Sequence, residues 1–327
     1  VLRAHPIRRI LLVTLVALCT AVIALNWTYG RLPAEPKPAG SFVQVGKLRI
    51  HYIEHPGSGT PVLLIHGLPG TAEDWEDVTP LLAGHRTIAI DRPGFGYSTG
   101  GYVSFKRQLE TIDALLHKLH VLRPILVGHS YGGTIALGFA ERYPSEVRGL
   151  VLVDAAAAGQ HPDDFARFQA HVIHVLELPV IWQIADVTFS QLLRKVSVEL
   201  ADSEAFHPQP VDAAQRQHVL AISMTRGNLD ALAGEYLAAD SAITQVDRGL
   251  GTIKLPSVVI QGDADKFVEP IYGRRLAAVL PKARLVMVSG GHMAPYTHPA
   301  AIAAAVKSIS DAPVQRLRRG PAARGGA

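Results

Sequence analysis

Cysteine is almost missing from this chain. Its single example, Cys19, sits inside an N-terminal apolar run, so no intrachain disulfide can form, no thiol is placed for catalysis, and the redox compartment leaves no mark. Metal signatures are missing too. His161, His171, His174, His207 and His218 have neither a cysteine partner nor an HExxH spacing, which makes them solvent-facing histidines rather than ligands. The chain also lacks internal repeats and any nucleic-acid motif. Its formal net charge of +4 does not point to a nucleic-acid partner, because the basic excess lies at the ends. Arg3, Arg8, Arg9, Arg31 and Lys37 stand against Glu35 near the N-terminus, and Arg316, Arg318, Arg319 and Arg324 stand unopposed in the tail. About +4 at each end leaves the stretch between them near −4.

One long apolar run is present. Ile10 to Leu25 is preceded by Arg8 and Arg9 and followed by Trp27 and Tyr29. With Asn26 to Tyr29 included it reaches the roughly 30 Å of a hydrocarbon core. The basic flank suits the cytoplasmic side and the aromatics suit the opposite interface. The reading for residues 1–30 is therefore an uncleaved single-pass anchor with the rest of the chain on the non-cytoplasmic side. A cleaved signal peptide, giving a secreted or periplasmic protein, is the rival, and Val22-Ile23-Ala24 is a mediocre cleavage site for it. Residues 31–40, rich in proline, read as an extended linker that would hold the domain roughly 30 Å off the membrane.

From Ser41 the chain is long enough, and at 48% hydrophobic residues apolar enough, for one large core. Short apolar strands alternate with amphipathic helices. Two strands lie around Phe42 to Ile53, a third at Val62 to Ile65 and a fourth at Thr87 to Ile90; between Phe105 and Leu119, Leu109, Ile112, Leu115, Leu116 and Leu119 share a helical face. That alternation specifies an α/β fold with a mostly parallel sheet flanked by helices on both faces. About a hundred residues separate the strand ending near Asp154 from the next at Ser257, far more than a crossover needs. This is the signature of an inserted helical lid at about 156–250. Its apolar residues, among them Phe168, Val172, Val175, Ile184 and Phe189, are expected mostly to build the lid's own core, the remainder lining an apolar pocket. The basic tail, 312–327, reads as disordered.

The chemistry is written in three turns. Gly128-His129-Ser130-Tyr131-Gly132 follows the apolar run Pro124 to Val127 and precedes a helix-forming segment. A strand that turns into a helix within one residue forces Ser130 into strained backbone with its side chain projecting from the sheet edge, and only small neighbours permit it. A serine hydroxyl is a poor nucleophile and needs a base and an acid. Carboxylates follow the strand Ser257 to Gln261, in Gly262-Asp263-Ala264-Asp265, and an imidazole follows Arg284 to Val288, in Ser289-Gly290-Gly291-His292. His292 would take the serine proton and return it to the leaving group.

The order Ser, Asp, His, together with Val62 to Gly70 (containing His66-Gly67-Leu68-Pro69) and Asp91-Arg92-Pro93-Gly94-Phe95-Gly96-Tyr97-Ser98, resembles the α/β-hydrolase superfamily, in its lid-bearing branch of esterases, lipases, carbon–carbon hydrolases and cofactor-free haloperoxidases. The resemblance covers roughly 41–311. It implies the α/β-hydrolase fold with an inserted helical lid, a triad of Ser130, Asp265 and His292, and oxyanion donors in the backbone N–H groups of Leu68 and Tyr131. It favours Asp265 over Asp263 through a Gly-x-x-Asp count from Gly262, with Asp263 as a turn former and Asp154, where some relatives carry the acid, as a strand-end cap. His66 would order the oxyanion loop. The loop also looks like that of epoxide hydrolases and haloalkane dehalogenases, but those place an aspartate at the elbow, so acyl transfer is favoured. The expected activity is hydrolysis of an apolar ester or related acyl compound through an acyl-enzyme on Ser130, with no cofactor and no metal. Carbon–carbon hydrolysis or cofactor-free haloperoxidase and perhydrolase chemistry on the same triad is the alternative, and a non-catalytic binding protein the remote one. Expected partners are an apolar small molecule and the membrane, not nucleic acid.

Overall fold

The computed structural model describes residues 6–162 and 164–311. The tail at 312–327 and Arg3 lie outside them. In chain order the elements are α1 (Pro6–Tyr29), β1 (Ser41–Val45), β2 (Leu48–His55), β3 (Gly59–Ile65), β4 (His85–Ile90), α2 (Phe105–Lys118), β5 (Ile125–His129), α3 (Tyr131–Arg142) and β6 (Gly149–Val153). After an inserted stretch come β7 (Ser257–Gly262), α9 (Pro270–Val279), β8 (Ala283–Val288), α10 (Ala294–Thr297) and α11 (Pro299–Ser310). The insertion carries α4 (Asp164–Leu176), α5 (Pro179–Ala185), a π-helical turn at Asp186–Ser190, α6 (Gln191–Phe206), α7 (Ala213–His218), a second π turn at Val219–Ser223, and α8 (Arg226–Gly249).

The eight strands form one sheet in the order β1-β2-β4-β3-β5-β6-β7-β8. Pairing is antiparallel from β1 to β2 and from β2 to β4, and parallel throughout the rest. The central strands β5, β6 and β7 are buried at every position because both their faces are covered. Val62, Leu64, Val127, Val151 and Ile260 pack toward Ile302, Val306 and Ile309 of α11. Their neighbours Leu63, Ile65, Leu126, Leu152 and Val259 pack toward α2, α3 and α8 through residues such as Ile112, Ile135 and Ile243. The parallel register brings the C-terminal ends of β3, β5, β6, β7 and β8 to one edge, where crevices form in open α/β sheets.

The structure departs from expectation in three ways, two of them in the insertion. Its inner side does pack, with Val198, Val219, Leu220, Met224, Leu229 and Leu232 gathered around Phe95 from the loop after β4. Phe168, Val172 and Val175 of α4, expected in that core, instead face outward, as do Ile184 and Phe189. The reason is geometric: α4 lays its inner face on α8, and α5 packs on the first π turn, which packs on α1, so the opposite faces stay uncovered. His218 is not solvent-facing either, since its Nε2 hydrogen-bonds Thr71 Oγ1 at 2.8 Å and ties the insertion to the loop after β3. Third, the proline-rich stretch does not stand the domain off. Tyr97 donates its hydroxyl to the Pro36 carbonyl at 2.8 Å, Ala39 meets His51, and the last turn of α1 packs on the π turn and α6. There Asn26, 1% exposed, donates to the carbonyls of Asp186 (2.9 Å) and Val187 (3.2 Å) and accepts from the Leu192 amide (3.0 Å).

Candidate active site

Ser130 is the single residue between β5 and α3, with φ 52° and ψ −123°. A non-glycine residue there is strained, and it persists because both flanking elements are fixed. A Cβ on Gly128 would collide with the backbone of Gly132 and Gly133, and one on Gly132 with the carbonyls of Ile65 and His66. Glycine at both positions is what lets helix, strand and elbow share the space. The Ser130 amide is tied to the Val153 carbonyl at 2.9 Å and its carbonyl accepts from Ala156 at 3.1 Å. Its hydroxyl makes no hydrogen bond to a described residue.

His292 and Asp265 meet across the loops after β8 and β7, with His292 Nδ1 2.7 Å from Asp265 Oδ2. Asp265 Oδ1 in turn accepts from the amides of Phe267 (2.8 Å) and Val268 (3.0 Å), so the carboxylate is held from both sides. Burial would raise the Asp265 pKa, but the His292 ring and these amides outweigh it and hold the carboxyl below its ordinary value. For His292 burial works downward and is outweighed by Asp265, leaving the imidazole above 6.5. The His292 amide is pinned to the Ala205 carbonyl of α6 at 2.7 Å, so the insertion helps place the imidazole. Asp263 takes a different partner, accepting from the Gly290 amide at 2.8 Å and bracing the two loops against each other.

His129 and Asp154 crowd the same region. His129 packs its ring 4.9 Å from that of His292, with its Nε2 2.8 Å from the His292 carbonyl. Burial and then the neighbouring His292 push the His129 pKa down to about 3, so it stays neutral. Asp154 accepts from the Gly262 amide at 2.7 Å through Oδ1, while Oδ2 is buried without a partner. Burial, then the Asp265 charge, lifts its pKa well above the carboxylate range. His129, Asp154 and His292 bring donor atoms within 4.8 Å of one another. One nitrogen of each ring is committed, Nδ1 of His292 to Asp265 and Nε2 of His129 to the His292 carbonyl, so His129 braces the loop that carries the imidazole.

The loop after β3 is held by residues whose importance the sequence hid. Arg92, fully buried, donates through Nη2 to the Gly67 carbonyl at 2.7 Å and through Nε to the His66 carbonyl at 3.2 Å. Its Nη1 lies 2.7 Å from both oxygens of Glu235 on α8, and Gln108 of α2 bonds both partners. His66 accepts from the Arg92 amide at Nε2 (3.0 Å), which puts its proton on Nδ1, 2.9 Å from the same Gly67 carbonyl. Burial and Arg92 keep His66 neutral by depressing its pKa far below 6.5. The Gly67 carbonyl and the Leu68 amide belong to one planar peptide and point in opposite directions. Two donors on that carbonyl therefore aim the Leu68 N–H. Tyr131 supplies a second amide, at the first position of α3, where no helical carbonyl is available to it. The signal for Glu235 was a carboxylate three residues after Leu232 and six after Leu229, on the buried side of α8; nothing in the sequence paired it with Arg92.

Comparisons with known proteins agree with this geometry. A family model described as alpha/beta hydrolase fold matches residues 60–299. A 2-hydroxy-6-oxononadienedioate/2-hydroxy-6-oxononatrienedioate hydrolase from Paraburkholderia phymatum is 28% identical over 261 residues, 77% of this chain and 87% of that protein. Lipase 1 of Psychrobacter immobilis is 25% identical over 248 residues, 72% of each chain. Among solved structures, an alpha/beta hydrolase fold protein from Burkholderia ambifaria superposes with a TM-score of 0.72 at 23% identity, covering 84% of this chain and all of that one.

Proposed function

The chain belongs to the α/β-hydrolase fold family, and from that premise we propose that it is a serine hydrolase of apolar acyl esters, working through an acyl-enzyme on Ser130. The observation that carries the reading is the hydrogen-bonded Asp265–His292 pair together with a serine held at φ 52° on the strand-to-helix turn, next in sequence to His129, whose ring lies 4.9 Å from that of His292. In the proposed reaction Ser130 Oγ attacks the acyl carbon while Nε2 of His292 takes its proton. Asp265 holds the other ring nitrogen and balances the imidazolium. The amides of Leu68 and Tyr131 receive the oxyanion, each worth a few kcal/mol of barrier. His292 then protonates the departing alcohol, the acyl-enzyme forms, and water repeats the sequence in reverse. The balance closes with water alone.

The apolar preference is supported by the way the insertion pairs four of its five arginines with carboxylates and turns Lys195 to the Tyr29 carbonyl. Arg167 pairs with Asp240, Arg194 with Asp186, Arg216 with Asp202 and Arg226 with Glu177, and Arg92 is neutralised by Glu235. The insertion, 164–249, is proposed to act as a lid, and α1 as a membrane anchor preceding a hydrolase domain at 41–311. The buried Asn26 joints favour a retained helix over one removed with a signal peptide.

A second reading, carbon–carbon bond hydrolysis on the same triad, is favoured by the 28% identical relative, whose name describes a dioate substrate. The paired arginines weigh against it, since a dianion needs unspent cations. A panel of p-nitrophenyl esters of increasing acyl length, run beside a vinylogous diketone acid, separates the two. Turnover of medium or long esters with none of the diketone supports the ester reading; the reverse replaces it.

A further inference from the structure

The outer side of the insertion carries an apolar face that the protein leaves uncovered. Val180, Ile184 and Val187 are exposed along α5 and the first π turn at spacings i, i+4 and i+7, and Leu193, Val196 and Leu200 along α6 at i, i+3 and i+7. Such spacings put each trio on one side of its helix. The α4 residues named above extend the pattern to a third helix. In all, twelve large apolar side chains are exposed between Phe168 and Leu200, against six in the described residues of 41–311 outside the insertion.

This face is joined to α1. Ile7–Tyr29 is long and apolar enough to cross a membrane, about 35 Å as a helix. Its last turn seats on the same π turn and α6 that carry the exposed trios. Besides the three Asn26 bonds, Trp27 Nε1 donates to the Val187 carbonyl at 3.2 Å and Lys195 Nζ to the Tyr29 carbonyl at 3.2 Å. Gly30 lies so close to α6 that a Cβ there would come within 2.6 Å of the Leu192 amide. The joint therefore sits where an aromatic belt marks a bilayer surface. A bilayer spanned by α1 meets α5 and α6 at its boundary, which is where amphipathic helices bury an apolar side.

We propose that the outer face of α4, α5 and α6 docks on the phospholipid bilayer that α1 enters, with the inner side of the insertion turned to the sheet edge that carries Ser130. The docking is independent of the reading of Ser130 as a nucleophile. The full chain, with Cys19→Ser as background, is labelled with bimane at Ile184→Cys, Leu200→Cys or Leu122→Cys and reconstituted into phosphatidylcholine vesicles containing nitroxide-labelled acyl chains. Leu122, 75% exposed at the opposite end of the sheet, is the control. Labels at 184 and 200 lose most of their emission to the nitroxide and the label at 122 keeps its own. Equal quenching at the three positions overturns the proposal. So does a full chain that fails to float with the vesicles, or the absence of lipid quenching at 184 and 200, which, with a 184–184 disulfide formed by the unlabelled Ile184→Cys variant on oxidation, would assign the face to a second copy. Thermal melts of the three variants matching the parent exclude misfolding as the source of any difference.

Discussion

The sheet and the insertion treat apolar side chains in opposite ways. In the sheet every large apolar residue of β5 and β6 is buried, and the turns after β5, β7 and β8 that carry Ser130, Asp265 and His292 are braced by backbone and side-chain hydrogen bonds. The insertion buries only its inner side, and three of its helices turn leucine, isoleucine and valine outward. A buried parallel strand has one destination for its side chains. A helix with an apolar stripe has two, a protein core or another apolar phase, and the stripe itself is the same in both cases. Rigidity is thus concentrated where chemistry is proposed, and uncovered surface where a partner is.

Four substitution sets sharpen or break this contrast. The largest effect belongs to the elbow: Ser130→Ala lowers kcat at least about a thousandfold while the fold persists, measured as ester turnover alongside a thermal melt. Normal turnover by the folded variant would move the chemistry elsewhere. Next, Asp265→Asn lowers kcat on the order of a hundredfold or more, because an amide cannot support the imidazolium, and Asp263→Asn does far less. Equal losses would reassign the acid. Third, Arg92→Met strands Glu235 in the interior and costs about 3–5 kcal/mol of stability. The double variant Arg92→Met/Glu235→Leu regains much of that stability in urea melts but not kcat, because the Leu68 amide is no longer aimed. Recovery of both would reduce the pair to packing. Smallest is the surface itself. Leu64→Ala, at a fully buried strand position, costs about 2–5 kcal/mol, whereas Ile184→Ala stays within about 0.5 kcal/mol. A large cost at Ile184 would mean that the face is covered by protein in solution.

The pH profile carries a signed prediction as well. Only neutral His292 can accept the serine proton, and its pKa stands above 6.5 because Asp265 outweighs burial. Activity is therefore full on the alkaline side and falls as pH drops through a value above 6.5. In Asp265→Asn the acid limb moves to lower pH. A limb that stays put would detach the imidazole from Asp265.

The sheet and the three turns were legible because their constraints are local. Apolar runs of strand length, Gly128 and Gly132 around a serine, and short loops after β7 and β8 leave few ways to fold; of the two carboxylates after β7, the one that meets His292 is Asp265, which the family resemblance favoured. Two kinds of information were not local. Arg92 and Glu235 meet across 143 positions, and nothing near either names the other. The outward residues of α4, α5 and the first π turn were read as core because periodicity gives the direction of a stripe relative to its helix, not what lies on the far side. The proline stretch failed for a similar reason: composition gave its stiffness, while its path was set by Tyr97, His51 and the Asn26 joint.

The central claim is that Ser130 becomes covalently acylated with His292 as its base. Mass spectrometry of the full chain after reaction with a fluorophosphonate, with peptide mapping across pH 5 to 9, reads this without assuming a substrate. The account predicts a single adduct on Ser130, forming faster as pH rises through the His292 pKa, nearly abolished by His292→Ala and absent in Ser130→Ala. An adduct on another residue, or labelling of Ser130 unchanged by His292→Ala, would contradict it.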